Sequence, residues 1–168
     1  MSAQTSGFTV TTINVNGVRA AVKQRNDDNP GMLPWLTAAA PDVVLLQEIR
    51  ASEKLARKSL EPALDDGWQL VMTESSVAGH AGVGLLTRTE PAAVRIGFGS
   101  DEFDGLGRYL EADVDHDGQT VTVGSLYLPT GAALTEDPKD VAKYEEKLRF
   151  LDEFGPYLVK TDANGVVQ

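Results

Sequence analysis

The chain has 168 residues, with 15 Lys+Arg against 25 Asp+Glu, two His and no Cys. That length suits one domain burying roughly two-thirds of its unfolded surface, and without cysteine there is no disulfide framework, thiolate metal site or cysteine nucleophile. No apolar run approaches the ~20 residues of a membrane span, and MSAQTSGF lacks the basic-then-apolar pattern of a secretory signal, so the default expectation is a soluble, cytoplasmic chain with no membrane contact.

The net charge of −10 argues at first against a polyanionic partner. The charge is uneven, however: residues 1–60 hold seven Lys/Arg and five Asp/Glu, whereas residues 61–168 hold eight and twenty. A basic face on an acidic chain is therefore still open.

Taken in order, Phe8–Val15 is rich in β-branched residues and reads as a strand, followed by Asn16-Gly17 and a polar loop, NDDNPG, at 26–31. A helix is expected from Gly31 to Ala40, with Pro34 early in it, and Pro41-Asp42 as its stop. Val43–Leu46 is apolar on both faces, as a buried strand requires. Ser52 caps a helix expected to end at Glu61-Pro62. Trp68–Met72, Val83–Thr87, Ala92–Phe98, Tyr109–Val114 and Thr120–Leu128 read as strands, with a hairpin turn at Asp115-His116-Asp117-Gly118. Asp137-Pro138 opens the longest helical pattern, in which Val141, Tyr144, Leu148 and Leu151 form one apolar stripe and Gly155-Pro156 ends or kinks it. The tail carries a turn at Ala163-Asn164-Gly165 and the beginning of a strand at Val166-Val167. These elements make an α/β chain, and the strand starting at its last residues raises the expectation that the chain is the first part of a longer domain.

Asn14 and Glu48 both stand at the carboxyl ends of expected strands, where α/β sheets usually bind ligands. A carboxylate held there suits a hard divalent cation such as Mg²⁺; the plainer alternative is a strand simply emerging into solvent. Tyr127, in SLYLPTG, reads either as a packed edge tyrosine or as a phenol that donates to a phosphate. His80, between glycines, reads as a turn residue, and His116 as a solvated one. Arg19, Lys23 and Arg25 follow Asn14, and Arg50, Lys54, Arg57 and Lys58 follow Glu48, as solvated faces or as phosphate contacts.

Read together, TINVNGVR (12–19), PDVVLLQEIR (41–50), GHAGVGLLTR (79–88), SLYLPTG (125–131) and KYEEKLRFLDEF (143–154) resemble, in order and spacing, the exodeoxyribonuclease III and AP endonuclease family of the endonuclease/exonuclease/phosphatase superfamily. The resemblance spans Phe8 to about Lys160 and covers the first part of the family pattern; the later G-D-x-N and S-D-H segments do not occur in this sequence. It implies part of a four-layer, deoxyribonuclease I-like α/β sandwich, with the first sheet and its helices present, and residues 1–168 as the N-terminal portion of one domain.

The resemblance further implies Mg²⁺-dependent (or Mn²⁺-dependent) 3′→5′ exonuclease and abasic-site endonuclease activity on duplex DNA, with no obligate protein partner. Glu48 resembles the metal-ligating Glu, Asn14 the Asn that orders the metal site, and Tyr127 the Tyr at the scissile phosphate. Arg19, Lys23, Arg50, Lys54 and Arg57 would line the DNA face. Thr130 departs from the Gln found in the enterobacterial-type pattern, which bears on whether this position reaches DNA. The attacking-water base belongs to the later segments, so this chain alone is expected to be inactive. Two other functions stay open: a superfamily phosphatase or phospholipase acting on lipid headgroups, and a non-catalytic DNA-binding fragment.

Overall fold

The computed structural model describes residues 7–159. Its elements are β1 (Val10–Asn14), α1 (Val18–Ala21), α2 (Met32–Ala39), β2 (Val43–Gln47), α3 (Glu53–Asp65), β3 (Gln69–Thr73), β4 (Val83–Thr87), β5 (Ala93–Ile96), β6 (Tyr109–His116), β7 (Gln119–Leu126) and α4 (Pro138–Leu158), with a short 3₁₀ turn at Asp104–Leu106. The strands form a mixed sheet of order β1-β2-β4-β3 and an antiparallel sheet of order β5-β6-β7. Parts of both sheets of the sandwich are thus present, where the resemblance led us to expect the first sheet and its helices.

Side-chain alternation along the strands builds three cores, and these separate four layers. Val44 and Leu46 point out of β2 into a core with Val18, Leu36, Leu60 and Trp68, beneath α1–α3. Val43, from the same strand, points the other way and meets Val83, Leu85, Leu110, Ala112 and Val123 between the sheets. Both faces of β2 are therefore covered, which explains its unbroken apolar sequence. Phe103, Tyr109, Phe150 and Phe154 fill the third core, between the second sheet and α4. The layer order is helices, sheet, sheet, helix.

The hairpin joining β6 to β7 closes at the His116–Gln119 pair, and Asp117 and Gly118 adopt φ of 52° and 78°. Two positive φ values are what a two-residue turn matched to strand twist demands, and Asp-Gly supplies them at low cost.

Three sequence expectations are corrected. α3 does not stop at Glu61-Pro62 but runs to Asp65 with Pro62 inside it. Leu60 and Ala63, on either side of the proline, are buried in the first core, and this packing offsets the one lost backbone hydrogen bond. Of the two outcomes expected at Gly155-Pro156, an end or a kink, α4 excludes the end, because it continues to Leu158. The expected stripe on that helix faces outward: Tyr144, Leu148 and Leu151 are exposed, while Phe150 and Phe154 are buried. Phe98, Phe103 and Tyr109 lie under the helix, and the Phe150 ring meets Phe98 and Phe103 edge-on at 5.2 and 5.0 Å. Two buried aromatic rings contribute more apolar area than the aliphatic stripe, and so they set the face. The expected turn at 163–165 and the strand at Val166-Val167 lie outside the described residues.

Candidate functional site

The site lies where β1, β2 and β7 end together. β1 and β2 run parallel with Asn14 opposite Gln47, so Asn14 and Glu48 leave the sheet at the same edge. Beyond β2 the backbone turns sharply, with Glu48 and Arg50 both left-handed at φ of 53° and 50°. Such conformations cost about 1–2 kcal/mol for a residue with a Cβ. They are held by a ladder of main-chain bonds: Gly17 donates to the Glu48 carbonyl at 2.8 Å, Val18 donates to that of Ile49 at 3.0 Å, and Ile49 and Arg50 donate to Gly82 and Ala81 at 3.0 and 2.9 Å. Ile49 fills the core between the two turns, so the side chains of Glu48 and Arg50 are thrown to the rim.

Two donors converge on the Glu48 carboxylate, whose side chain is 12% exposed. Asn14 Nδ2 donates to Oε1 at 2.8 Å, and Arg50 forms an ion pair with Oε2. The Tyr127 phenol adds to their effect on the carboxyl. Asn14 is itself oriented, since its Oδ1 accepts the Asn16 N–H at 3.1 Å. The Asn14 hydrogen bond, aided by Tyr127 and Arg50, outweighs burial and holds the Glu48 carboxyl below its ordinary range. Burial, with the Glu48 contact added, pushes the Tyr127 phenol above its ordinary range. At neutral pH the site therefore holds an ionised carboxylate beside a protonated phenol.

Two residues around Tyr127 complete the arrangement. Thr130 slightly offsets the upward push on the Tyr127 phenol. Arg108, which sequence reasoning missed, lies over the Tyr127 ring at 5.6 Å and donates to the Tyr127 carbonyl at 3.4 Å and to Glu146 at 3.5 Å. Its buried Nε has no hydrogen-bond partner. Nothing in the local pattern GRYL marked this arginine, because its importance comes from a contact 19 residues away.

The basic residues divide into two groups. Arg19, Lys23 and Arg50 line one depression of about 440 Å³ beside the site, with Asn16, Gly17 and Gly79. Lys54 and Arg57 stand on α3 outside it, and Arg57 is engaged by Glu53 at 2.7 Å and the Leu70 carbonyl at 3.1 Å. The 26–31 loop closes on itself through Asn26 and Asn29 and walls a cavity of about 610 Å³ next to Asn14. His80 is a loop residue, as expected. His116, expected in the turn and solvated, is instead the last residue of β6, with its ring 4.8 Å from Phe8.

A divalent cation fits the donor set at Glu48 in a limited way. A carboxylate offers about four lone-pair positions, and Asn14 and Arg50 take one on each oxygen. What remains suits a hard ion that keeps most of its waters. Among the described residues no group of three or more His, Asp and Glu is placed to share a metal ion. No helix among them is long and apolar enough to cross a membrane.

Residues 11–158 match the model of the Endonuclease/Exonuclease/phosphatase family. The chain is 30% identical over 158 residues to an exodeoxyribonuclease III of Haemophilus influenzae, covering 90% of this chain and 55% of that protein. It is 31% identical over 104 residues to the DNA repair nuclease APEX1 of Danio rerio, covering 62% of this chain and 32% of that protein. In structure it resembles an AP endonuclease from Archaeoglobus fulgidus, with a TM-score of 0.69 and 26% identity over 93% of this chain and 52% of that one. The chain spans about half the length of these relatives or less. With a family model matched over most of its length and a fold in agreement with it, the chain belongs to the endonuclease/exonuclease/phosphatase family.

Proposed function

We propose that this chain is the N-terminal portion of a DNA-repair nuclease that hydrolyses phosphodiester bonds in duplex DNA, as a 3′→5′ exonuclease and at abasic sites. The observation that carries this reading is the meeting of Asn14 and Tyr127, from two strand ends, at the ionised carboxylate of Glu48 at a third. The names of the relatives, which act as exodeoxyribonuclease, DNA repair nuclease and AP endonuclease, support it.

Each residue has a role suited to its state. Glu48, kept ionised, would hold Mg²⁺ (or Mn²⁺) through one oxygen while Asn14 fixes the carboxylate's orientation. The ion supplies positive charge that offsets the charge growing on a phosphate under attack. Tyr127, kept protonated, donates its hydrogen to a non-bridging phosphate oxygen. Arg50 exchanges its Glu48 contact for a phosphate as DNA arrives, and joins Arg19 and Lys23 in a cationic depression that follows the backbone. A base for the attacking water comes in this reading from polypeptide beyond these residues, which agrees with a chain that spans 55% of its exodeoxyribonuclease III relative. β1 and β7 are the outer strands of their sheets among the described residues, and each ends at the site. Strands supplied by the rest of the domain would pair there. Residues 1–168 alone are then inactive, and the protein works in the cytoplasm without an obligate protein partner.

The test is cleavage of a duplex carrying one abasic site by the protein at its full natural length. Wild type should nick the duplex in Mg²⁺ and stop when the ion is chelated, and Glu48→Gln should remove nearly all cleavage. Wild-type rate in Glu48→Gln would end the role given to Glu48. Hydrolysis of inositol phosphates without any nicking, or DNA binding without hydrolysis, would overturn the nuclease assignment.

A further inference from the structure

Among the described residues, five polar or charged ones are buried: Gln47, Thr87, Ser100, Glu111 and Ser125. Three have a local purpose. Thr87 bonds the Thr89 carbonyl, Ser100 accepts the Phe103 N–H at 3.1 Å, and Glu111 bonds Tyr109 and Arg95 on the outer face of the second sheet. Gln47 and Ser125 differ, because they join two strands of different sheets across a layer that is otherwise apolar. Ser125 Oγ donates to the Leu46 carbonyl of β2 at 2.8 Å and accepts from Gln47 Nε2 at 3.2 Å. The Gln47 amide also meets the Thr12 hydroxyl of β1, with Nε2 at 3.1 Å and Oε1 at 3.3 Å.

The positions of these three residues match those of the site. Thr12 lies two residues before Asn14, and Ser125 two before Tyr127, so each shares a strand face with its site residue. Gln47 immediately precedes Glu48. Thr12 and Ser125 thus lie about 7 Å deeper than Asn14 and Tyr127 by strand rise, and Gln47 lies one residue below Glu48. Apolar contacts hold two sheets at a fixed spacing but resist sliding weakly, since they have no direction. Hydrogen bonds fail with displacements of a few tenths of an ångström and so define one register.

We propose that Gln47 and Ser125 are positioning residues: they pin β7 to β2 so that the Tyr127 hydroxyl and the Glu48 carboxylate stay side by side, one holding the phosphate and the other the cation. The consequence for catalysis rests on the nuclease reading; the consequence for the Tyr127–Glu48 contact does not.

The experiment uses Ser125→Ala and Gln47→Met, with Ser125→Thr as the variant that keeps the hydroxyl, all in the full-length protein. Tyrosine labelled with ¹³C at the ring carbon bearing oxygen reports the phenol's hydrogen bond, and Tyr127→Phe assigns its signal. In Ser125→Ala and Gln47→Met this signal should move toward that of a solvent-exposed phenol, and Ser125→Thr should restore it. On an abasic duplex, kcat should fall by about 10–100-fold, the loss that follows a displacement near 1 Å, with KM little changed. An unmoved Tyr127 signal in folded Gln47→Met, with the effect confined to Tm, would overturn the proposal and leave the pair a stability element. A signal that moves as expected in a protein whose wild type does not cleave DNA would overturn the nuclease reading and uphold the positioning role. Gln47→Met, which keeps the side-chain volume, carries the test if Ser125→Ala does not fold.

Discussion

The Asn14 amide and the Glu48 carboxylate, 34 residues apart in the chain, meet at 2.8 Å because two parallel strands end side by side. This contact is the largest influence on the Glu48 carboxyl and holds it below its ordinary value of 4.5. Asn14→Ala should therefore move the Glu48 titration upward, as read by carboxyl ¹³C chemical shifts against pH. The stability effect has the sign of a depressed carboxyl: the contribution is complete above the ordinary value and lost as pH falls through the lowered one. Urea unfolding at successive pH values should show wild type losing more stability on acidification than Glu48→Gln. Equal losses would mean that Glu48 is no better solvated in the fold than in the unfolded chain.

The two groups of basic residues should separate by salt dependence. Arg19→Ala or Lys23→Ala should reduce the slope of log K against log [salt] for duplex binding by about one, the effect of losing one phosphate contact. Arg57→Ala should leave the slope nearly unchanged, since Arg57 is occupied by Glu53 and Leu70 outside the depression. Equal effects at all three positions would extend the DNA face onto α3.

The aromatic core under α4 separates its two faces. Phe150 has no exposed surface and packs edge-on against Phe98 and Phe103. Phe150→Ala should cost about 3–5 kcal/mol by denaturant melts. Leu148, 44% exposed, belongs to the stripe that periodicity selected. Leu148→Ala should stay within about 0.5 kcal/mol.

Much of the architecture was legible in the sequence because it depends on local physics. The apolar run Val43–Leu46 had to be a strand covered on both faces, and Ser52 and Asp137 had to begin helices; all three are found. The turn expected over Asp115-His116-Asp117-Gly118 narrows to its last two residues, since Asp115 and His116 complete β6. Asn14, Glu48 and Tyr127 could be singled out by their places at strand ends and by family resemblance. That the three would touch could not be read, because a strand-end residue carries no information about which other strand ends beside it.

The tertiary structure decided the rest, where a distant contact outweighs a local preference. Proline stops a helix locally, yet α3 and α4 run through Pro62 and Pro156 because buried neighbours repay the lost bond. Periodicity picked the stripe of Val141, Tyr144, Leu148 and Leu151 on α4, but the rings of Phe98, Phe103 and Tyr109 buried the face bearing Phe150 and Phe154 instead. Arg108 and Thr130 gained their meaning only from the side chain of Tyr127, and Gln47 and Ser125 only from the meeting of two sheets. Sequence by itself determined where strands, turns and caps form, since those energies lie within a few residues of chain. Which side chains share a site, and how each proton is held there, was decided by packing between segments up to 79 residues apart.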